Sequence, residues 1–145
     1  MKTEFMNEAY KQAEKAYKYK DVPVGAVIVK DGKIISRAYN KKNKKNCATY
    51  HAEILAIEKA CKKVKNYRLV DCDIYVTKEP CLMCMGAILS ARMRAIYFGA
   101  FDKKYGVVDK IDTFDFNHTC IIKGGVEEEK CSQLLTKFFK ELRES

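Results

Sequence analysis

Four side chains in two short stretches of the sequence could together build a catalytic metal site. His51 and Glu53 stand two residues apart, and Cys81 and Cys84 follow farther along the chain, directly after Pro80. One imidazole and two thiolates give a tetrahedral Zn2+ three ligands and leave its fourth position open to water, whereas a structural zinc site usually closes all four positions with protein atoms. The pattern therefore predicts a hydrolytic zinc centre.

Glu53 is placed to move protons in such a centre without binding the metal. Zinc lowers the pKa of bound water from roughly 15.7 to about 7, so hydroxide is available near neutral pH. A carboxylate beside that water can take its proton, deliver it to a ring nitrogen and later protonate a departing amine. Because hydrolysis of an aromatic amine needs all of these transfers, the set predicts a deaminase with Glu53 as its catalytic acid and base.

Other interpretations of these residues stay open at this point. The Cys-x-x-Cys pair could be a redox pair or half of a structural zinc knuckle, although neither explains Pro80 or the upstream His51. Glu53 alone could be an ordinary surface carboxylate on a helix. His118, the second histidine of the chain, could complete a closed Cys2His2 site, in which Glu53 would have no role.

The elements that must position these residues follow from the hydrophobic pattern. Apolar residues at helical spacing predict four helices, over residues 3–18, 51–63, 81–91 and 127–143. Alternating or β-rich segments predict five strands, over residues 25–30, 33–39, 73–77, 95–99 and 119–123, the first two joined by the Asp31-Gly32 turn. Residues 40–46 are expected to form a solvated, lysine-rich loop, and residues 100–118 a longer one.

Helices interleaved with strands in this order predict one α/β domain over residues 1–145. The expected architecture is a three-layer α/β/α sandwich with a central mixed five-stranded sheet. Both ligand sets then lie in helix starts, where free backbone N–H groups favour thiolates over thiols. The last helix is expected to bury Cys131, Leu134, Leu135, Phe138, Phe139 and Leu142.

Composition limits the class of protein and its surroundings. The 28 Lys and Arg against 19 Asp and Glu give a net charge of +9, which attracts polyanions such as a phosphate backbone, although many basic cytosolic proteins bind no nucleic acid. The N-terminus carries no signal-peptide pattern and no apolar run approaches a membrane span, which predicts a cytoplasmic protein without membrane contact. The seven cysteines are an odd number, and two belong to the metal motif, so reduced thiols are expected rather than a disulfide framework.

With these residues in place, the chain resembles the bacterial tRNA-specific adenosine deaminases of the cytidine deaminase-like superfamily. Besides the two zinc motifs, matching stretches are Asp-Val-Pro-Val-Gly-Ala at 21–26, Tyr-Val-Thr at 75–77, Phe-Gly-Ala at 98–100, Phe-Asn-His at 116–118 and Phe-Phe at 138–139. The resemblance implies a homodimer with one Zn2+ per subunit that converts wobble adenosine to inosine in a tRNA anticodon stem-loop. The alternative is a free nucleobase or nucleoside deaminase acting on guanine, cytosine or a related small molecule.

A third class, a catalytically silent RNA-binding subunit, would usually lack the proton-shuttling carboxylate, and Glu53 is present. The resemblance also implies substrate contacts. Asn40 matches the position that hydrogen-bonds the flipped base, and His118 belongs to a segment near the bound RNA. Arg143 matches the basic end of the last helix. A loop near the anticodon nucleotides is matched by Asp102, Lys103 and Lys104.

The chain departs from the family pattern at three places outside the zinc motifs. Ala48-Thr49-Tyr50 stands where the family usually has Pro-Thr-Ala, which predicts a different local wall of the pocket. Lys78 stands before Glu-Pro-Cys, where the family usually has an apolar residue, and a cation there is expected to alter substrate preference or bind a phosphate. The stretch between Gly106 and Asn117 is several residues shorter than usual.

Overall fold

The computed structural model describes residues 1–111 and 118–145. Its helices and strands, in chain order, are α1 Thr3–Lys18, β1 Gly25–Lys30, β2 Lys33–Tyr39, α2 Lys42–Lys45, α3 Ala52–Val64, β3 Cys72–Lys78, α4 Leu82–Ser90, β4 Ala95–Ala100, β5 Ile121–Lys123 and α5 Glu128–Glu144. No helix in these two ranges is long and apolar enough to cross a membrane.

The five strands form one mixed sheet, as predicted, and the structure gives their order as β2-β1-β3-β4-β5. Strand β1 is antiparallel to both β2 and β3, whereas β3, β4 and β5 run parallel to one another. Strand β2 therefore points in the same direction as β3 and β4. The segments that follow these three strands, beginning at Asn40, Glu79 and Phe101, consequently leave the sheet at one common edge.

Both faces of the sheet are covered, which gives the three predicted layers. Along β1, Ala26 and Ile28 pack into a core shared with α3 and α4, while Val27 and Val29 pack into a second core shared with α1 and α5. Successive side chains of a strand point to opposite faces, so a strand buried on both sides is apolar at every position. The run Gly-Ala-Val-Ile-Val meets this requirement.

Helix α1 approaches the sheet closely at Gly25. A Cβ atom at this glycine would overlap the carbonyl oxygen of Ala9 and the backbone nitrogen of Ala13. The two alanines at this contact, Ala9 and Ala13, are small and fully buried. The helix can therefore lie almost directly on the backbone of β1.

Two local predictions differ from the structure near the metal motif. The loop over residues 40–46 contains one helical turn, α2, instead of only irregular chain. His51 and Cys81 lie one residue before α3 and α4 in extended conformations rather than inside the helices, because each occupies the N-cap position. Hydrophobic periodicity finds a helix but does not fix its first residue.

The last helix lies where it was predicted, but the burial predicted for its second half is wrong. Of the six apolar residues expected to be buried, only Cys131 is, whereas Phe139 is 38% and Leu142 57% exposed. Helix α5 packs against β4, β3 and α1, and every residue from Phe139 onward is exposed. An amphipathic pattern indicates an apolar face, but it does not say that the same chain covers that face.

Replacing Gly25 with alanine should destabilise the fold by about 1–3 kcal/mol, because the added methyl group forces α1 away from β1. Urea unfolding followed by circular dichroism would measure the loss. Gly86→Ala is the matched control: a Cβ there meets nothing within 4 Å, and alanine favours helix α4 by up to about 1 kcal/mol. Equal unfolding midpoints for the two variants would contradict the close contact at Gly25.

Candidate active site

His51, Cys81 and Cys84 meet where α3 and α4 begin. The Nδ1 atom of His51 lies 3.7 Å from the Sγ of Cys81 and 3.5 Å from the Sγ of Cys84. All three potential ligand atoms lie within 4.8 Å of one another. Ligands around a tetrahedral zinc ion are separated by about 3.5–3.8 Å, given Zn–S near 2.3 Å and Zn–N near 2.0–2.1 Å. The arrangement therefore fits one metal ion.

His118 does not complete a closed Cys2His2 site. Its Nε2 atom lies 2.7 Å from the carbonyl oxygen of Met93. Within residues 1–111 and 118–145, the group able to hold a metal consists of His51, Cys81 and Cys84. Three ligands with an open fourth position remain the arrangement that suits hydrolysis rather than structure.

A hydrogen bond fixes the start of helix α3 beside these ligands. The side-chain oxygen of Asn40, the first residue after β2, accepts the backbone N–H of Ala52 at 2.8 Å. This bond satisfies one of the free N–H groups that every helix start presents. Because its oxygen is engaged, Asn40 has its amino group available to donate to a ligand.

The two thiols respond to each other in opposite ways. A hydrogen bond with Cys84, assisted by one with His51, lowers the pKa of Cys81 to about 3, although burial opposes the shift. The hydrogen bond with Cys81, together with burial, raises the pKa of Cys84. Of this pair, Cys81 thus has the lower pKa. A metal cation favours the deprotonated form of any thiol that ligates it and so opposes the rise at Cys84.

Glu53 is not a surface carboxylate, since it is only 4% exposed. It lies in the first turn of α3 and lines the same cavity as His51 and Cys81. Burial raises the pKa of Glu53, against the opposing effects of a backbone N–H and of His51. A carboxyl group whose pKa is raised towards neutrality is suited to accept and return a proton.

A cavity of about 560 Å³ opens over the metal-ligand cluster. Its volume lies within the range of small-molecule sites. Of the residues predicted to contact substrate, three line it, namely Asn40, Asp102 and Lys104; three do not, namely Lys103, His118 and Arg143. Phe116 and Asn117, the other members of the segment predicted near RNA, lie outside the described residues.

Glu79 shapes one wall of this cavity, and the sequence interpretation gave it no role. Its Oε1 accepts the backbone N–H of Asp102 at 3.0 Å, and its Oε2 accepts that of Val108 at 3.2 Å. Gly106 passes so close to this carboxylate that a Cβ would overlap it. The acidic residue directly before Pro80 was the signal available in the sequence. Glu79 therefore ties the loop after β4 to the short segment between β3 and α4.

Lys78, which stands where the family usually has an apolar residue, forms an ion pair at the cavity wall. Its Nζ lies 3.0 Å from Oδ2 of Asp102, whose Oδ1 accepts the backbone N–H groups of Lys104 and Tyr105. Burial alone would raise the pKa of Asp102, but these amides and Lys78 outweigh it and hold that pKa below its usual value. The carboxylate is thus ionised and fully engaged. Tyr50, which belongs to another departure from the family pattern, does not line the cavity.

Comparisons with known proteins agree with this geometry. Residues 1–143 match the family model of the MafB19-like deaminases. The tRNA-specific adenosine deaminase of Bacillus subtilis (strain 168) is 43% identical over 143 residues, which cover 96% of this chain and 89% of that protein. A structure from a study of A-to-I editing by tRNA:A34 deaminases at the wobble position of transfer RNA has a TM-score of 0.87 and 39% identity, covering 92% of this chain and 100% of that one.

A guanine deaminase from Bacillus subtilis is also similar, but over a smaller part of each chain. Its TM-score is 0.66 at 43% identity, with coverage of 70% of this chain and 66% of that one. The tRNA enzyme of Bacillus subtilis, by contrast, matches nearly the whole chain at the same 43% identity. On the strength of its family match and of relatives above 40% identity, the chain belongs to the family of the bacterial tRNA-specific adenosine deaminases, among the MafB19-like deaminases.

Proposed function

We propose that this chain is a zinc-dependent enzyme that hydrolyses the wobble adenosine of a tRNA anticodon loop to inosine, with release of ammonia. The observation that carries the proposal is the buried Glu53 carboxyl beside the His51, Cys81 and Cys84 cluster at the base of an open cavity. The tRNA substrate is supported by the relatives that match nearly the whole chain.

Zinc is the metal that the three ligands favour. Two thiolates and one imidazole are soft to intermediate donors, which suit zinc better than magnesium or calcium. When bound by His51, Cys81 and Cys84, zinc supplies a water molecule of lowered pKa as the nucleophile.

Glu53 carries the protons between the steps of the reaction. It accepts a proton from the attacking water and donates it to the ring nitrogen next to the attacked carbon. It then takes the second proton from the hydroxyl group now on that carbon and passes it to the amino group, which leaves as ammonia. Its burial keeps bulk water from exchanging that proton. Water is consumed and ammonia released, so no other reactant is needed.

Asn40 is suited to hold the base in place. Its oxygen is already bonded to the backbone of α3, so its amino group can donate to an acceptor on the base. An anticodon loop exposes its bases, and turning one into the cavity therefore requires less unstacking than in a duplex. We assign Asp102 and Lys104 to the wall of the base site, and Lys103, His118 and Arg143 to RNA contacts outside it.

A free guanine deaminase is the second candidate, supported by the partial match to the Bacillus subtilis enzyme. Such an enzyme would use the same metal site and the same carboxylate. The net charge of +9 would not help such an enzyme to bind its substrate, because a neutral nucleobase is not attracted by positive charge. The substrate test below distinguishes the two activities.

The exposed apolar residues around the cavity support a homodimer. Leu82 is 66% and Phe139 38% exposed, and both line the cavity together with the partly exposed Met83. Contiguous apolar surface on a folded chain usually marks a contact with another molecule. A second copy packed here would cover the uncovered half of α5 and help to exclude water from the site.

The proposed function predicts first that the zinc-loaded protein forms inosine in an anticodon stem-loop with a wobble adenosine. The substitution Glu53→Gln should lower the rate by at least about 100-fold while zinc and RNA still bind. Mass-spectrometric nucleoside analysis measures the inosine. Glu58→Gln, on the exposed side of the same helix, is the control and should keep full activity. Deamination of free guanine but not of the RNA would transfer the function to the second candidate.

The second prediction concerns metal binding. Cys84→Ala should bind less than one zinc ion per chain and lose the stabilisation by zinc, about 2.7 kcal/mol at a free zinc concentration 100 times Kd. Elemental analysis and unfolding with and without zinc check this. Cys72→Ala removes another buried cysteine, away from the cluster, and should keep both zinc and its stabilising effect. Full zinc occupancy in Cys84→Ala would contradict the ligand assignment.

The third prediction is that light scattering after size exclusion gives twice the 16.7 kDa chain mass for the wild type and a lower mass for Phe139→Glu. A charge at this position would be buried without a partner in the dimer. Thr136→Glu adds the same charge at an exposed position one turn earlier and should remain dimeric. A monomeric wild type at micromolar concentration would refute the dimer.

A further inference from the structure

Two of the four lysines that the sequence predicts in a solvated loop, Lys41 and Lys44, contact a stacked pair of tyrosines. The rings of Tyr19 and Tyr39 stack, with centroids 6.1 Å apart and planes inclined by 12°. The Nζ of Lys44 lies 4.2 Å from the centroid of Tyr19, and that of Lys41 lies 4.9 Å from the centroid of Tyr39. We call Tyr19, Tyr39, Lys41, Lys42, Lys44 and Lys45 the lysine–tyrosine patch.

These contacts restrict the lysine side chains before any partner arrives. A cation over an aromatic face gains about 0.5–1 kcal/mol at an exposed site. The Nζ of Lys44 also lies 3.4 Å from the hydroxyl oxygen of Tyr39. Ordering lysine side chains in advance lowers the entropy lost when they bind a ligand.

The backbone under the patch is anchored to the body of the protein by Asp21. This buried carboxylate accepts the N–H of Asn43 at 2.9 Å and the N–H of Val22 at 3.0 Å. The side chain of Asn43 in turn donates to the carbonyl oxygen of Lys20 at 3.1 Å. The patch is therefore fixed against the end of α1 and does not depend on a free loop.

The charge of the patch is not balanced by the described part of the chain. Ion pairs there join Lys11 to Glu8, Lys78 to Asp102 and Arg94 to Asp73, and none includes a lysine of the patch. Burial, followed by repulsion from Lys59 and the neighbouring lysines, lowers the pKa of Lys41. Four neighbouring cations that form no ion pair within the described residues are expected to attract a polyanion.

The patch continues into the active-site cavity. Lys42 lines that cavity together with Asn40, and the backbone N–H of Lys41 donates to the carbonyl oxygen of Tyr50, the residue before His51. A strand whose nucleotide enters the cavity must leave it across the rim. On this side, the rim is the patch.

We propose that the lysine–tyrosine patch binds the phosphates of the RNA strand next to the nucleotide held in the cavity. This inference rests on the proposed function, because it takes RNA as the substrate. Lysine is a point-charge ligand for phosphate and reads no base, so the patch contributes affinity and strand direction without selecting sequence. An acidic peptide would use the same charges, but it would not be placed by a base in the cavity.

The test compares two double variants. One carries both Lys44→Gln and Lys45→Gln; the matched control carries both Lys62→Gln and Lys63→Gln and so loses the same charge from exposed positions at the far end of α3. Fluorescence anisotropy with a labelled anticodon stem-loop gives Kd between 50 and 200 mM salt. Each lost phosphate contact lowers the salt slope by about 0.7 for single-stranded RNA, so a decrease of about 1.4 and a roughly tenfold weaker Kd are expected. In turnover, KM should rise similarly while kcat stays unchanged.

Uncharged methylphosphonate linkages beside the wobble adenosine identify the contacted atoms. They should weaken binding by the wild type and the control but have little further effect on the Lys44 and Lys45 variant, because that variant has already lost the contact. Equal salt slopes for the variant and its control would overturn the proposal, even with inosine formed normally. If the wild type forms no inosine but the slopes still differ as expected, the proposed function fails while the RNA contact stands.

Discussion

The chemistry of this chain depends on two helix starts being held a few ångström apart. His51 and Cys81 are the N-cap residues of α3 and α4, and these helices pack side by side on one face of the sheet. Their distance is set by the buried core under them and by Asn40, which bonds to the backbone at the start of α3. Because three ligand atoms must surround one ion, a shift of one helix by an ångström would open the cluster.

The floor of the cavity carries acidic groups, whereas its rim carries cationic ones. The floor contains Cys81, whose thiol pKa is lowered, and the buried Glu53 carboxyl, and the proposed metal ion would compensate their charge. Cationic side chains stand at the rim and beyond it, with Asp102 neutralised by Lys78. A polyanion is thus attracted to the surface around the opening. A nucleobase that enters the cavity would instead meet Glu53, the proposed proton-transfer group.

The described chain leaves part of its own apolar surface uncovered. Helix α5 contacts the sheet through Cys131 near Gly99, but its later turns carry Phe139 and Leu142 into solvent. The same surface borders the active-site cavity at Leu82. The proposed contact with a second copy would therefore stabilise α5 and complete the surroundings of the site together.

The sequence by itself predicted the ligand set and the proton-transfer residue, and it determined the order of strands and helices along the chain. Local spacing records these features directly: His51 lies two residues before Glu53, Cys81 lies three before Cys84, and apolar residues recur at the periods of helices and strands. Only the tertiary structure decided which distant groups meet. The pairing of Lys78 with Asp102, the bonds from Glu79 to the loop after β4 and the stacking of Tyr19 on Tyr39 join residues from different elements. Such contacts are fixed by the packing of the sheet and its helices, and a linear pattern carries no record of them.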